Sequence, residues 1–332
     1  MTTSEPSEQE EIGIVGLGRM GANLAMQAVE KGIRVIGIDK KAFPQELGKA
    51  GVAEATSLEE LSRGLRRPRR ILLYVPAGQA VDGLVDSLAP FLDAGDVLAD
   101  GGNSYWGDSI ARFERLRSKG IHFVDVGTSG GVSGARHGAC FMVGGESEAV
   151  RRLEPVLERL AVPGGYVYAG PPGAGHFTKL VHNGIEFGML QAIGEGVELL
   201  ARHKDRLDIA DILHCWRNGS VIRGWLMDLM ETEFRREGGL ERIPSYVDDT
   251  GEVSWLVSDA MRMEVPVPVI AQSVMQLFVS RDSDRDSARA VAMMRHGFGG
   301  HAFGPSQVAR NERVHGRVRE VSPEVPPPPV SP

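Results

Sequence analysis

The residues best suited to carry chemistry are Lys179, His182, Asn183 and Glu186. They fall at i, i+3, i+4 and i+7, a spacing that places all four on one face of a helix. Phe177, Thr178, Leu180, Val181 and Ile185 fall on the opposite side. An amine, an imidazole, an amide and a carboxylate in one stripe can surround a polyhydroxy acid. A solvated face with a Lys–Glu ion pair would produce the same spacing on an arbitrary helix. Here the stripe mixes His and Asn instead of repeating charges, and it follows directly on a nucleotide-binding pattern.

That pattern is Gly16-Leu17-Gly18-Arg19-Met20-Gly21, between the apolar run Ile12–Val15 and a helix-like segment. The first glycine permits a tight turn, the second lets backbone approach a pyrophosphate, and the third lets helix and strand pack closely. The helix N-terminus then faces the phosphates. Asp39 ends the next apolar run about 20 residues on, where the ribose-binding acid belongs. A carboxylate there accepts from both ribose hydroxyls and repels a 2′-phosphate, which favours NAD over NADP. Lys40 and Lys41 follow it and soften that preference.

The elements that must position these residues are legible in outline. Ile12–Val15, Val35–Ile38, Ile71–Val75, Val97–Ala99 and Phe123–Val126 read as strands, with Asn23–Glu30 and Ser109–Arg117 among the helices between them. Phe141–Val143 and Gly165–Tyr168 extend the series. Alternation of this kind predicts an α/β fold, a doubly wound parallel sheet covered on both faces. After Pro171-Pro172-Gly173 strand signals fade and helical patterns take over, beginning with His176 to about Arg202. We expect a disordered N-terminus over 1–10, a dinucleotide-binding domain over 11–174, an all-helical domain over 175–304 and a disordered Pro-rich tail over 305–332.

Composition narrows the class. A net charge of −7 gives no basic excess for nucleic acid, and 42% hydrophobic residues suffice for a substantial core. Cys140 and Cys215 lack metal-ligand spacing and read as buried free thiols of a reducing compartment. The start, Met1 to Glu11, is polar and unlike a secretory signal. The apolar run Val265–Val279 contains Pro266, Pro268, Gln272 and Gln276, so it reads as core and not as a membrane span. A cytoplasmic protein is expected, without a metal.

With these residues in place, the chain resembles the 6-phosphogluconate dehydrogenases, the decarboxylating enzymes of the pentose phosphate route within the β-hydroxyacid dehydrogenase superfamily. The segment from Gly173 to Glu186 resembles their catalytic helix, Asp100–Ser104 their loop after the fourth strand, and Ser129–Arg136 their substrate loop. Arg295 and the stretch Phe298–His301 resemble their C-terminal substrate contacts. The similarity runs from about Gly13 to His301, in the family's short, NAD-preferring form.

The resemblance implies roles. Lys179, in its neutral form, would take the C3 hydroxyl proton as hydride leaves C3 for the nicotinamide; a nearby cation or desolvation would lower its pKa enough. The β-keto acid then loses its carboxylate, and Glu186 protonates carbon to give the ketose. Asn103, Ser129, Gly130, Gly131, His182 and Asn183 would position the substrate, with Arg295 and His301. Val75, Pro76, Ala77 and Asn103 would join Gly16, Gly18, Arg19, Met20, Gly21 and Asp39 around NAD. The C-terminal contacts would come from a neighbouring copy, which implies a homodimer or a dimer-based assembly.

Departures gather where the family binds the substrate's phosphate. Phe187 stands for a tyrosine, Leu277 for an arginine, and Val253-Ser254 for a small-then-basic pair. Arg281 and Arg295 are the basic residues at hand. The far end of the substrate is therefore open to a non-phosphorylated sugar acid. Two other functions stay open as well: a β-hydroxyacid dehydrogenase that does not decarboxylate, and a nucleotide-binding sensor without turnover.

Overall fold

The computed structural model describes residues Gln9–Ser306. The disorder expected over 1–10 and 305–332 falls almost wholly outside them. Eight strands form one sheet: β1 (Glu11–Val15), β2 (Arg34–Ile38), β3 (Ala53–Glu54), β4 (Arg70–Leu73), β5 (Val97–Asp100), β6 (His122–Ser129), β7 (Ala139–Gly144) and β8 (Ala161–Gly170). Helices α1 (Arg19–Glu30), α2 (Gln45–Ala50), α3 (Leu58–Gly64), α4 (Gln79–Leu88), α5 (Trp106–Arg117), α6 (Gly131–His137) and α7 (Ser147–Leu160) connect them. Then come α8 (Ala174–Ala201), α9 (Ile209–Gly219), α10 (Trp225–Glu237), α11 (Glu252–Arg262), α12 (Pro268–Arg281) and α13 (Asp286–Gly299).

The spatial order is β3-β2-β1-β4-β5-β6-β7-β8. The chain leaves β1 in one direction and returns to β4 on the other side. That reversal opens a crevice at the strands' C-terminal ends, where ligands bind in sheets of this kind. Every pairing is parallel except β6 with β7. The expected parallel sheet is present, with one antiparallel strand in it: the short α6 returns β7 antiparallel beside β6, since a crossover of parallel strands needs a longer connection.

Side chains alternate across the sheet with period two. Ile12, Ile14, Leu72, Val97, Ala99, Val124 and Val126 join Leu24 and Ala28 of α1 and Leu153 and Leu157 of α7 in one core. Val15, Ile71, Leu73, Leu98 and Phe123 join Leu61 of α3, Val85 of α4 and Phe113 of α5 in the other. Both faces are thus covered, which is why these strands read as nearly continuous apolar runs.

The chain divides into two compact units between Gly184 and Ile185. Among the described residues the second unit holds helices only. Its small core comprises Val197, Leu213 and Met227, with Ile193, Trp216 and Phe234 packed against it. Two expectations are corrected. Cys140 is partly exposed and Cys215 exposed, so neither is a buried thiol. Val265–Val279 is not uniformly core: Val274 and Leu277 are buried, whereas Val269 and Val279 are exposed on the other side of α12. No helix among the described residues is long and apolar enough to cross a membrane.

Candidate active site

The glycine loop sits at the switch in strand order, between the ends of β1 and β4. Gly16 has φ +94°, and a Cβ there would stand 2.4 Å from the Tyr74 carbonyl oxygen. A Cβ on Gly21 would stand 1.9 Å from the Gly16 carbonyl oxygen. The protein itself therefore requires glycine at both positions. Gly18 differs: its Cβ direction meets nothing within 4 Å. No side chain caps α1 at Gly18, so the N–H groups of its first turn, from Arg19 and Met20 onward, are available to an anion. Open space over backbone donors fits the pyrophosphate of a dinucleotide.

Asp39 follows β2 and points its carboxylate back at this loop. Oδ2 accepts from the Leu17 N–H at 2.6 Å and Oδ1 from the Lys41 N–H at 2.8 Å. Both bonds fix the carboxylate at the crevice rim. On the other side β4 ends at Leu73, earlier than its apolar run suggested, so Tyr74, Val75, Pro76 and Ala77 belong to the crevice loop.

The first turns of α8 lie directly against β6 and β7. A Cβ on Gly175 would come within 2.5 Å of the Asp125 and Met142 carbonyl oxygens. One on Gly127 would stand 2.6 Å from the Lys179 Cβ, and one on Gly144 2.5 Å from the Gly175 nitrogen. Three glycines thus remove the layer of side chains that ordinarily separates a helix from a sheet. Asp125, fully buried on β6, completes the seat. Its carboxylate accepts from the Gly173 N–H at 2.7 Å and the His176 N–H at 2.8 Å, satisfying two donors that the helix start leaves over. His176 is buried and its Nδ1 lies 2.7 Å from the Ser109 Oγ of α5.

On this seat α8 presents the polar stripe. Lys179 Nζ lies 3.3 Å from His182 Nδ1, and His182 Nε2 lies 3.1 Å from Ser129 Oγ at the end of β6. With the ammonium as donor, Nδ1 accepts and the Nε2 proton is directed at the serine. Asn183, 5% exposed, donates from Nδ2 to Asn103 Oδ1 at 3.2 Å. Lys179, His182, Asn183, Ser129 and Asn103 are therefore drawn together from three elements distant in sequence. Gly130 and Gly131 follow Ser129 with φ +108° and +59°; the expected loop shortens to one turn before α6 begins at Gly131.

Glu186 continues the same helix into the second unit, seven residues after Lys179. Arg295 lies on α13 and His301 just beyond it; both are exposed. The Phe298 ring meets His301 edge-on, with centroids 6.2 Å apart. Among the phosphate-end substitutes, Arg281 Nη2 binds Asp249 Oδ2 at 2.7 Å, and its guanidinium lies over the Phe278 ring. Among the described residues no three His, Cys, Asp or Glu side chains are grouped to hold a metal ion.

Several functional residues escape sequence reasoning. Asp125, Gly127 and Gly144 act on α8 through packing between strands distant from it, and no local pattern announces that. Tyr74 places its hydroxyl 3.2 Å from Thr128 Oγ1, linking the loop after β4 to the end of β6. Burial raises the pKa of that phenol, keeping it neutral.

Comparison with known proteins agrees with this geometry. Residues 11–170 match the model of the NAD binding domain of 6-phosphogluconate dehydrogenase. Residues 175–315 match that of the 6-phosphogluconate dehydrogenase C-terminal domain. The chain is 42% identical over 293 residues to YqeC of Bacillus subtilis (strain 168), covering 88% of this chain and 98% of that protein. It is 41% identical over 305 residues to the NAD(+)-dependent, decarboxylating 6-phosphogluconate dehydrogenase of Haloferax volcanii, covering 91% and 99%. The solved structure of Plasmodium falciparum 6-phosphogluconate dehydrogenase matches with a TM-score of 0.76 and 26% identity, over 90% of this chain and 66% of that one.

Proposed function

The chain belongs to the 6-phosphogluconate dehydrogenase family, and from that membership we infer that it is a decarboxylating, NAD-linked oxidoreductase acting on 6-phospho-D-gluconate. Its products are ribulose 5-phosphate, carbon dioxide and NADH. The observation that carries the reading is the Lys179–His182–Ser129 chain of contacts beside a dinucleotide loop. Bound NAD supplies the hydride acceptor.

The chain's own residues perform the rest. Lys179, deprotonated, takes the C3 hydroxyl proton as C3 is oxidised, and His182 and Ser129 hold its amine in line. The ammonium so formed stays beside the new ketone oxygen and stabilises charge there while C1 departs as carbon dioxide. Glu186 delivers the proton that converts the enediol carbon to the ketose. Asn103 and Asn183, joined to each other, orient the carboxylate and hydroxyls together with Ser129, Gly130 and Gly131. Gly16, Gly18, Arg19, Met20 and Gly21 hold the pyrophosphate, Asp39 the adenosine ribose, and Val75, Pro76 and Ala77 the opposite wall. Asp39 favours NAD over NADP because a 2′-phosphate would meet its carboxylate.

The working form is a homodimer in the cytoplasm, with Arg295 and His301 completing the partner's site. In support, α13 has no buried residue, and Met293, Met294 and Phe298 on it are 68%, 60% and 77% exposed, an apolar surface suited to a second copy. Incubation of the full chain with NAD and 6-phosphogluconate tests the function: NADH accumulates with ketose in equal amounts, and absence of both rejects it. A second reading concerns the far end of the substrate. Arg281 is engaged by Asp249, and Phe187 and Leu277 offer no charge, which favours a site tolerant of an acid without phosphate.

A further inference from the structure

Arg112 on α5 is 1% exposed, yet it takes no part in the polar stripe. Its guanidinium reaches three acceptors at the C-terminal edge of the sheet. Nε donates to Asp82 Oδ1 at 2.9 Å, Nη2 to the Gly78 carbonyl at 3.2 Å and Nη1 to Asp100 Oδ2 at 3.4 Å. Gly78 closes the loop of Val75, Pro76 and Ala77, and Asp82 lies in the first turn of α4 after it. Asp100 ends β5 and shapes the next turn: Oδ1 accepts from the Gly102 N–H at 3.0 Å and Oδ2 from Ser104 Oγ at 2.7 Å. Between those two residues stands Asn103, bonded to Asn183 of α8. The loops already touch, since a Cβ on Gly102 would stand 3.0 Å from the Val75 carbonyl oxygen.

We propose that Arg112 is a positioning residue whose guanidinium fork locks the Val75–Ala77 loop to the Asp100–Ser104 turn and so sets Asn103 between the NAD site and α8. The acceptors sit at the start of α4 and the end of β5, the elements that carry the two loops flanking the crevice. Arg112 is the cation shared by the Asp82 and Asp100 carboxylates, with Asp82 paired also to Arg115 at 3.5 Å and Asp108 standing 3.8 Å from the fork. A planar, permanently charged fork meets several fixed acceptors at once; an ammonium is a point charge and cannot. Arg112 therefore acts on NAD through Asp100, Ser104 and Asn103 without touching it. The inference rests on the assignment of NAD to this crevice.

The test is the dissociation constant for NAD alone, without sugar acid, measured on the full chain well below its melting temperature. Arg112→Lys keeps the charge and loses the fork; its Kd rises about tenfold, the scale of one or two charge-assisted hydrogen bonds. Ser104→Ala weakens binding in the same direction, and the double variant binds no worse than Arg112→Lys, because both changes loosen one turn. An unchanged Kd with a lowered melting temperature would make Arg112 merely structural and overturn the inference, as would strictly additive losses. If the lysine variant does not fold, Asp82→Asn, whose side chain is 44% exposed, loosens the same fork; unchanged NAD affinity there overturns the inference equally. A wild-type chain that bound no NAD would reject the cofactor assignment itself and the inference with it.

Discussion

Gly127 and Lys179 touch across the sheet–helix boundary so closely that a Cβ on the glycine would stand 2.6 Å from the Cβ of the lysine. The amine's position is thus set by a missing side chain on β6. Gly127→Ala must push α8 outward by a fraction of an ångström or more, since the Gly175 carbonyl oxygen of the same helix would also stand only 2.9 Å from the new Cβ. Misplacement on the 1 Å scale costs about a hundredfold in rate. We expect kcat to fall between about tenfold and a hundredfold while NAD affinity changes little. Steady-state kinetics beside NAD titration checks this; undiminished kcat would show that the seat of α8 does not govern Lys179.

Asp125 should matter to stability first. It is fully buried and accepts from the backbone at Gly173 and His176. Asp125→Ala strands both donors, at a cost of about 2–4 kcal/mol from a lost cap and unsatisfied buried groups. Urea unfolding reads that loss directly. A change below about 0.5 kcal/mol, the range of neutral surface substitutions, would contradict the capping role.

Much of this was legible in sequence, for reasons visible in particular residues. The glycine loop, Asp39 and the Lys179–Glu186 stripe obey local spacing rules, and local rules survive without knowledge of the fold. The central strands were legible because burial on both faces makes them apolar throughout, whereas the two-residue, exposed β3 left no such run. Asp125 and Gly127 were not, because their partners lie about 50 residues on and only the register of β6 against α8 joins them. The antiparallel β7 was hidden for a similar reason: its direction depends on the length of α6, not on its own residues. Roles for Arg295 and His301 rested on resemblance, and in the single chain both side chains are exposed.

The Arg112 clamp carries a pH signature. The hydrogen bond from Arg112 holds the Asp82 carboxyl below its ordinary value; burial opposes it, and the nearby charges of Arg112 and Arg115 add to the lowering. A carboxyl whose folded pKa is depressed stabilises the protein above its unfolded pKa, about 3.9, and loses that contribution as pH falls through the folded value. The stability difference between wild type and Asp82→Asn is therefore greatest near neutrality and narrows below about pH 4. Denaturant titrations at pH 7, 4 and 3 check the trend; a difference that widened on acidification would contradict the assignment.

The Asp249 carboxylate holds Arg281, the guanidinium proposed for the substrate's far end. Asp249→Asn keeps an oxygen for the Gly251 N–H, removes the negative charge and loosens the guanidinium, which retains the Leu277 carbonyl and, at 3.8 Å, Asp248. If Arg281 serves the phosphate, KM for 6-phosphogluconate falls severalfold and KM for gluconate stays put. Equal shifts for both acids would exclude Arg281 from phosphate recognition.

The most direct test of the central claim follows the carbon that should leave. The chain is supplied with NAD and 6-phosphogluconate labelled at C1, and NADH and labelled carbon dioxide are measured in the same vessel. The arrangement of Lys179, His182 and Glu186 predicts one labelled carbon dioxide for each NADH, with both lost in Lys179→Met. NADH formed without carbon dioxide would make the protein a simple hydroxyacid dehydrogenase and contradict the account.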